Sequence, residues 1–233
     1  MSDNDDYENL FYSFQHEKKS AALADVFADV QASTLKKCAD IAELRAKTLE
    51  RCGNDIVTCA ETMARAFAGG KKLLAFGNGD SATDAQDVAV DCMLRGLPAL
   101  SLSNDPNIIT AIANDSGLEN IFLRQMIAFG KPGDLAIGIS TSGSARDLEV
   151  AFAMAHRMEV VTIGLAGYEG GKTMELHRAG IVDFCFVAPS LHIPRIQEAH
   201  ATIYHTLIEL TQRMLEHSEE ENWLNQFSLV AHN

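Results

Sequence analysis

Basic residues are scarce in this chain: 19 Lys and Arg stand against 32 Asp and Glu, a formal net charge of −13 over 233 residues. Binding nucleic acid through its phosphates needs the opposite balance, so the charge opposes general nucleic-acid binding, no direct nucleic-acid partner is expected, and any anionic ligand must be held by local donors. Long apolar runs are also missing. No stretch approaches the roughly 20 residues that span a bilayer, and the acidic opening MSDNDDYENL is unlike a secretory signal. A cytoplasmic protein with no membrane partner is therefore expected. Cysteine is limited to five residues, 38, 52, 59, 92 and 185, an odd number without a CxxC pair, which predicts reduced structural thiols. What the chain does have is apolar content, 47%, enough for one substantial core rather than two domains.

The stretch Lys71 to Asp91, KKLLAFGNGDSATDAQDVAVD, changes from strand-like to helix-like periodicity at a glycine turn. Leu73 to Phe76 form the short apolar run of a strand buried on both faces. Gly77 and Gly79 permit a sharp turn, and Asp80 or Ser81 is placed to cap the following helix. Before it, helical spacing over 20–51 and 55–68 predicts two N-terminal helices separated by a stop at Gly53-Asn54. After it, strands are expected at 98–103, 134–139, 160–164 and 181–187, with helices at 107–113, 118–129, 146–157, 173–177 and 194–217 between and beyond them. Strands alternating with helices of this length require crossovers, hence an α/β fold with a parallel sheet and helices on both faces. The expected organisation is an acidic arm at 1–19, one domain at 20–217 and a tail at 218–233, whose Trp223, Leu224 and Phe227 read as a strap over a neighbouring subunit.

In such a sheet ligands sit beyond the carboxyl ends of the strands. There, Ser140, Thr141, Ser142 and Ser144 supply hydroxyls and backbone N–H groups at a helix start, a neutral cradle suited to a phosphate monoester. An ordinary polar turn needs one such hydroxyl for capping, so this many favours phosphate binding.

GNGDSATDAQ, IANDSG at 112–117, GDLAIGISTSGS at 133–144, GYEGGK at 167–172 and RIQEAH at 195–200, in this order and spacing, resemble the sugar isomerase (SIS) domain family, most closely the bacterial phosphoheptose isomerases. The resemblance covers about residues 20–215. It implies a three-layer sandwich around a five-stranded parallel sheet, preceded by N-terminal helices, in a homotetramer. It also implies aldose–ketose isomerisation of sedoheptulose 7-phosphate, with a phosphorylated ketose or aldose as the partner molecule. The family's catalytic Glu and His fall on Asp91 and His205. Its substrate-side positions fall on Asn78, Ser81, Arg95, Asp105, Ser140, Thr141 and Ser142, with Ser144 added from the cradle and Gln197 shared with the metal set. Its zinc ligands fall on Asp87, Asp91, Gln197 and His205. This oxygen-rich donor set suits Mn²⁺ or Mg²⁺ as well as zinc, or no metal.

Asp87 stands where the family has a His and Asp91 where it has the Glu, and three more residues depart from the family pattern. Asp80 stands where the family has a small residue, Ala145 where it has a phosphate-binding Ser, and Pro194 where it has an Asp near the substrate. Asp91 is also a methylene shorter than Glu. Moving a carbonyl between C1 and C2 needs a base for the carbon proton and an acid or metal to steady the enediolate; a carboxylate and an imidazole suffice. Two other readings stand beside this one. Gly77 to Ala82 fits a GxGxxA dinucleotide fingerprint with Asp105 as a ribose contact, but the hydroxyl-rich second loop argues against a nucleotide cofactor. The other is a catalytically altered SIS tetramer that bridges protein partners, as in SIS proteins that associate with the replication initiator.

Overall fold

The computed structural model describes residues 23–230 of the chain, with side chains described to His217. The expected arm at 1–19 and the side chains of the strap residues Trp223, Leu224 and Phe227 lie outside that description. The chain divides after Asp40 into two units. In the first, the helix carries local contacts such as the 2.9 Å Lys36–Asp40 ion pair.

The second unit, from Ile41 onward, carries the sheet. Helix α1 is Leu23–Ala68 and is followed by β1 (Leu73–Gly77), α2 (Asp80–Leu94), β2 (Ala99–Ser101) and α3 (Pro106–Ser116). A short 3₁₀ turn leads into α4 (Ile121–Phe129), then β3 (Leu135–Ser140), α5 (Arg146–Arg157), β4 (Val161–Gly167), α6 (Gly171–Arg178), β5 (Phe184–Ala188) and α7 (Ile193–Val230). The sheet is parallel, in the order β2-β1-β3-β4-β5.

Alternate residues along the central strands feed two cores. Leu73, Ala75, Leu135, Ile137 and Ile139 pack with α1, α2 and α7 on one face. Leu74, Phe76 and Ala136 pack with α4 and α5 on the other, where the Phe76 ring lies 5.3 Å from those of both Phe122 and Phe152. This gives the three layers.

Several boundaries differ from the sequence reading: β4 runs to Gly167 rather than 164, β5 starts at Phe184 rather than 181, α3 runs to Ser116 rather than 113, and two helix limits change more. Gly53-Asn54 does not stop a helix: α1 runs through it. Glycine inside a helix costs only about 1 kcal/mol relative to alanine, and Cys52, Ile56, Cys59, Ala60 and Met63 bury one helical face around it. The last helix also continues past His217, its backbone remaining helical to Val230.

The chain enters β2 on one side of β1 and returns to β3 on the other. Connections therefore diverge between β1 and β3, the point at which open parallel sheets form a ligand crevice. Gly77 pairs with Ile139 at the end of that ladder, so the GNG turn and the serine loop leave the sheet side by side.

Candidate active site

Gly77 is required by close approach. A Cβ there would lie 2.6 Å from the Ser81 carbonyl oxygen and 2.8 Å from that of Ile139. Ser103 Oγ fixes the same glycine, accepting from its N–H at 3.3 Å and donating to its carbonyl at 2.9 Å. Helix α2 then starts at Gly79 with no side-chain cap, so the expected capping by Asp80 or Ser81 does not occur. Asp80 is exposed in the first turn, and Ser81 is buried there. Asn78 donates to Asp147 Oδ2 at 2.7 Å, which ties this turn to the first turn of α5.

The serine loop is shaped by its own hydroxyls. Ser140 Oγ accepts from the Gly143 N–H at 3.1 Å, and Ser142 Oγ from the Ser144 N–H at 3.2 Å. Helix α5 behind it begins at Ala145, again without a side-chain cap, leaving its positive end toward the loop. The GYEGGK segment clamps the loop from outside. Thr173 donates to the Gly143 carbonyl through its N–H at 2.8 Å and its hydroxyl at 3.0 Å, and Ser144 Oγ accepts from the Lys172 N–H at 3.3 Å. Gly143, at φ +66°, admits this contact; a Cβ there would come 2.3 Å from the Gly170 carbonyl oxygen.

Along α2, Asp84, Asp87, Asp91 and Arg95 follow the i, i+3, i+7, i+11 spacing of one helix stripe. At 1.5 Å per residue, Asp87 and Asp91 stand about 10 and 16 Å from the start of α2. Their side chains lean back toward that start. Helix α7 packs on α2, with Ile203, Tyr204, Leu207 and Ile208 sharing a core with Ala85, Val88 and Cys92. His205 Nδ1 lies 3.1 Å from Asp91 Oδ2, and Nε2 lies 3.4 Å from Asp87 Oδ2. Asp87 Oδ2 accepts from the Tyr204 hydroxyl at 2.8 Å, and Asp91 Oδ1 from Arg95 Nε at 3.0 Å. His205 and Asp87 are half exposed, at 51% and 50%, so these pairs contribute little to stability. Burial first, then the Asp87 and Asp80 charges, push the Asp84 carboxyl up to about 6, and its Oδ2 is buried without a partner among the described residues.

Residues 37–167 match the model of the SIS domain. The chain belongs to the SIS domain family. A phosphoheptose isomerase of Geotalea daltonii is 43% identical over 166 residues, 69% of this chain and 84% of that relative. One of Aquifex aeolicus is 41% identical over 180 residues, 75% of this chain and 92% of that relative. Among solved structures, the phosphoheptose isomerase of Neisseria gonorrhoeae superposes with a TM-score of 0.74 at 31% identity, covering 79% of this chain and 99% of that one.

Of the expected site positions, the structure brings Asp87, Asp91, Arg95 and His205 into one cluster and gathers Ser140, Ser142 and Ser144 in one loop, with half-buried Thr141 between them. Asp105 is engaged in capping α3, its Oδ1 accepting from the Asn107 and Ile108 N–H groups at 2.8 and 3.2 Å. Gln197 is half-buried on α7, two turns before His205.

The metal set Asp87, Asp91, Gln197 and His205 does not fit a metal as arranged here. Both imidazole nitrogens face carboxylates, and those carboxylates also accept from Tyr204 and Arg95. Among the described residues no three His, Cys, Asp or Glu side chains converge as ligands would.

Sequence reasoning missed Asp84, Tyr204, His200, Asp147 and Thr173. The stripe spacing would have found Asp84. His200, within the RIQEAH motif, is fully buried and its Nε2 lies 3.0 Å from the Ala166 carbonyl oxygen, fastening α7 to the end of β4. Burial pulls its imidazole down to about 4. Tyr204, Asp147 and Thr173 act through contacts distant in sequence and carry no local signal.

Proposed function

We propose that this chain is a phosphosugar aldose–ketose isomerase that converts sedoheptulose 7-phosphate to the corresponding aldoheptose 7-phosphate through an enediolate. The observation that carries this is the 3.1 Å contact of His205 with Asp91, on a face made of carboxylates, in a chain that also has a neutral hydroxyl cradle at the sheet's divergence point. Charge sets the direction of binding. Asp80, Asp84, Asp87 and Asp91 along α2 repel a phosphate dianion, so the phosphate lies against the uncapped start of α5 and the serine hydroxyls. The carbonyl end of the sugar then lies toward Asp91 and His205. Asp91 takes the C1 proton, His205 delivers a proton to the C2 oxygen, and reversal of both steps at the neighbouring atoms gives the aldose. Arg95 holds the carboxylate in place.

The fit of the chain to the phosphoheptose isomerases, 43% identity to that of Geotalea daltonii, supports a heptose phosphate as substrate. The same likeness supports a homotetramer. Among the described residues no helix is long and apolar enough to cross a membrane, and the cysteines are free, which supports a cytoplasmic setting. The test is incubation of the purified protein with sedoheptulose 7-phosphate, following aldose formation by NMR. Conversion is expected. Binding without conversion would replace this reading by that of a bridging protein.

A further inference from the structure

Tyr204 decides where Asp87 points. Its side chain is 3% exposed and packs in the core shared by α2 and α7, so the phenol has one fixed position. From there the hydroxyl donates to Asp87 Oδ2 at 2.8 Å, and that same oxygen lies 3.4 Å from His205 Nε2. The Tyr204 and imidazole rings are 4.6 Å apart, so the neighbouring side chains on α7 restrain each other. Asp91 Oδ2, 3.1 Å from Nδ1, holds the imidazole at that nitrogen, and Asp87 stands beside the other. Metal coordination by the same residues would require a His205 nitrogen to turn from its carboxylate toward a shared cation, and the phenol occupies the Asp87 oxygen that faces it.

The geometry points to Tyr204 as a positioning residue that fixes Asp87 beside Nε2 of His205, so that a chain of contacts, Tyr204–Asp87–His205–Asp91–Arg95, stands where the family pattern has metal ligands. The kinetic part of this inference rests on the isomerase reading; the binding and stability parts do not. Tyr204→Phe keeps the ring packed and removes only the hydroxyl. It is expected to lower kcat about tenfold through misplacement of Asp87, with KM within about twofold because the phosphate is held elsewhere. Asp87→Asn should lower kcat comparably, and the double variant should be no slower than Asp87→Asn alone, since the hydroxyl acts through that carboxylate. An unchanged kcat in Tyr204→Phe, or losses that multiply in the double variant, would overturn the proposal.

Two readouts do not need turnover. Equilibrium dialysis against zinc should show weaker retention by the natural protein than by Tyr204→Phe, in which Asp87 is released. One tightly held zinc per natural chain that is lost in Asp87→Asn would overturn the proposal. A thermal-denaturation cycle over Tyr204→Phe and Asp87→Asn should be non-additive, and strict additivity contradicts the bond. Failure of the natural protein to convert the sugar would remove the isomerase reading, while these two measurements would still decide the role of Tyr204.

Discussion

Acidification should weaken the fold through one residue, His200. It is fully buried, with Nε2 donating to the Ala166 carbonyl at 3.0 Å and Nδ1 unpartnered among the described residues. Burial pulls its imidazole from 6.5 down to about 4. Between those values the unfolded chain binds a proton that the folded chain refuses, so stability falls as pH falls from 6.5 to 4. At 1.36 kcal/mol per unit the full loss is about 3 kcal/mol, and about 2 kcal/mol of it is present at pH 5. In a chain of this length that corresponds to a midpoint roughly 4–8 °C lower. His200→Gln keeps an N–H for Ala166 and does not titrate. Thermal denaturation of both proteins at pH 7 and pH 5 gives the comparison. The natural protein should lose about 2 kcal/mol more than the variant between the two conditions. Equal pH dependence in the two proteins would refute the burial argument.

The remaining predictions concern the site and its supports. Asp84, raised to about 6 by burial, takes up its proton in the folded state first, so its contribution improves as pH falls through 6; Asp84→Asn should raise the melting temperature at pH 8 and remove the part of the pH dependence that this carboxyl supplies between about pH 6 and 4. Thr173→Val removes one of two bonds to the Gly143 carbonyl, and a hydrogen bond worth about 1 kcal/mol implies a KM about fivefold higher with kcat little changed, measured by steady-state kinetics. Asn78→Ala leaves the buried Asp147 carboxylate without its amide and should destabilise the protein by about 1–3 kcal/mol in urea titration. Unchanged values in any of these would remove the contact from the account.

Most of the fold was legible because it depends on local pattern. The apolar runs at Leu73–Phe76 and 134–139 and the amphipathic 146–157 declared strands and helix within a residue or two. The helix stop at Gly53 misled because packing of Cys52, Ile56 and Met63 outweighs a local propensity. The serine loop was legible because its chemistry is contiguous in sequence. The proton-transfer cluster was half legible: the family resemblance brought out Asp87, Asp91 and His205, whereas Tyr204 has no sequence neighbour that marks it and became visible only when α7 met α2. Asp105 shows the converse, since a carboxylate before Pro106 is also what a helix cap looks like.

The central claim is that Asp91 and His205 move protons on a sugar whose phosphate is held by the serine loop. Incubation with sedoheptulose 7-phosphate in D₂O, followed by NMR, tests it most directly. The account predicts that the natural protein forms the aldose with deuterium appearing at C2, and that His205→Ala and Asp91→Ala neither form the aldose nor exchange the carbon proton. Undiminished exchange in His205→Ala would contradict it.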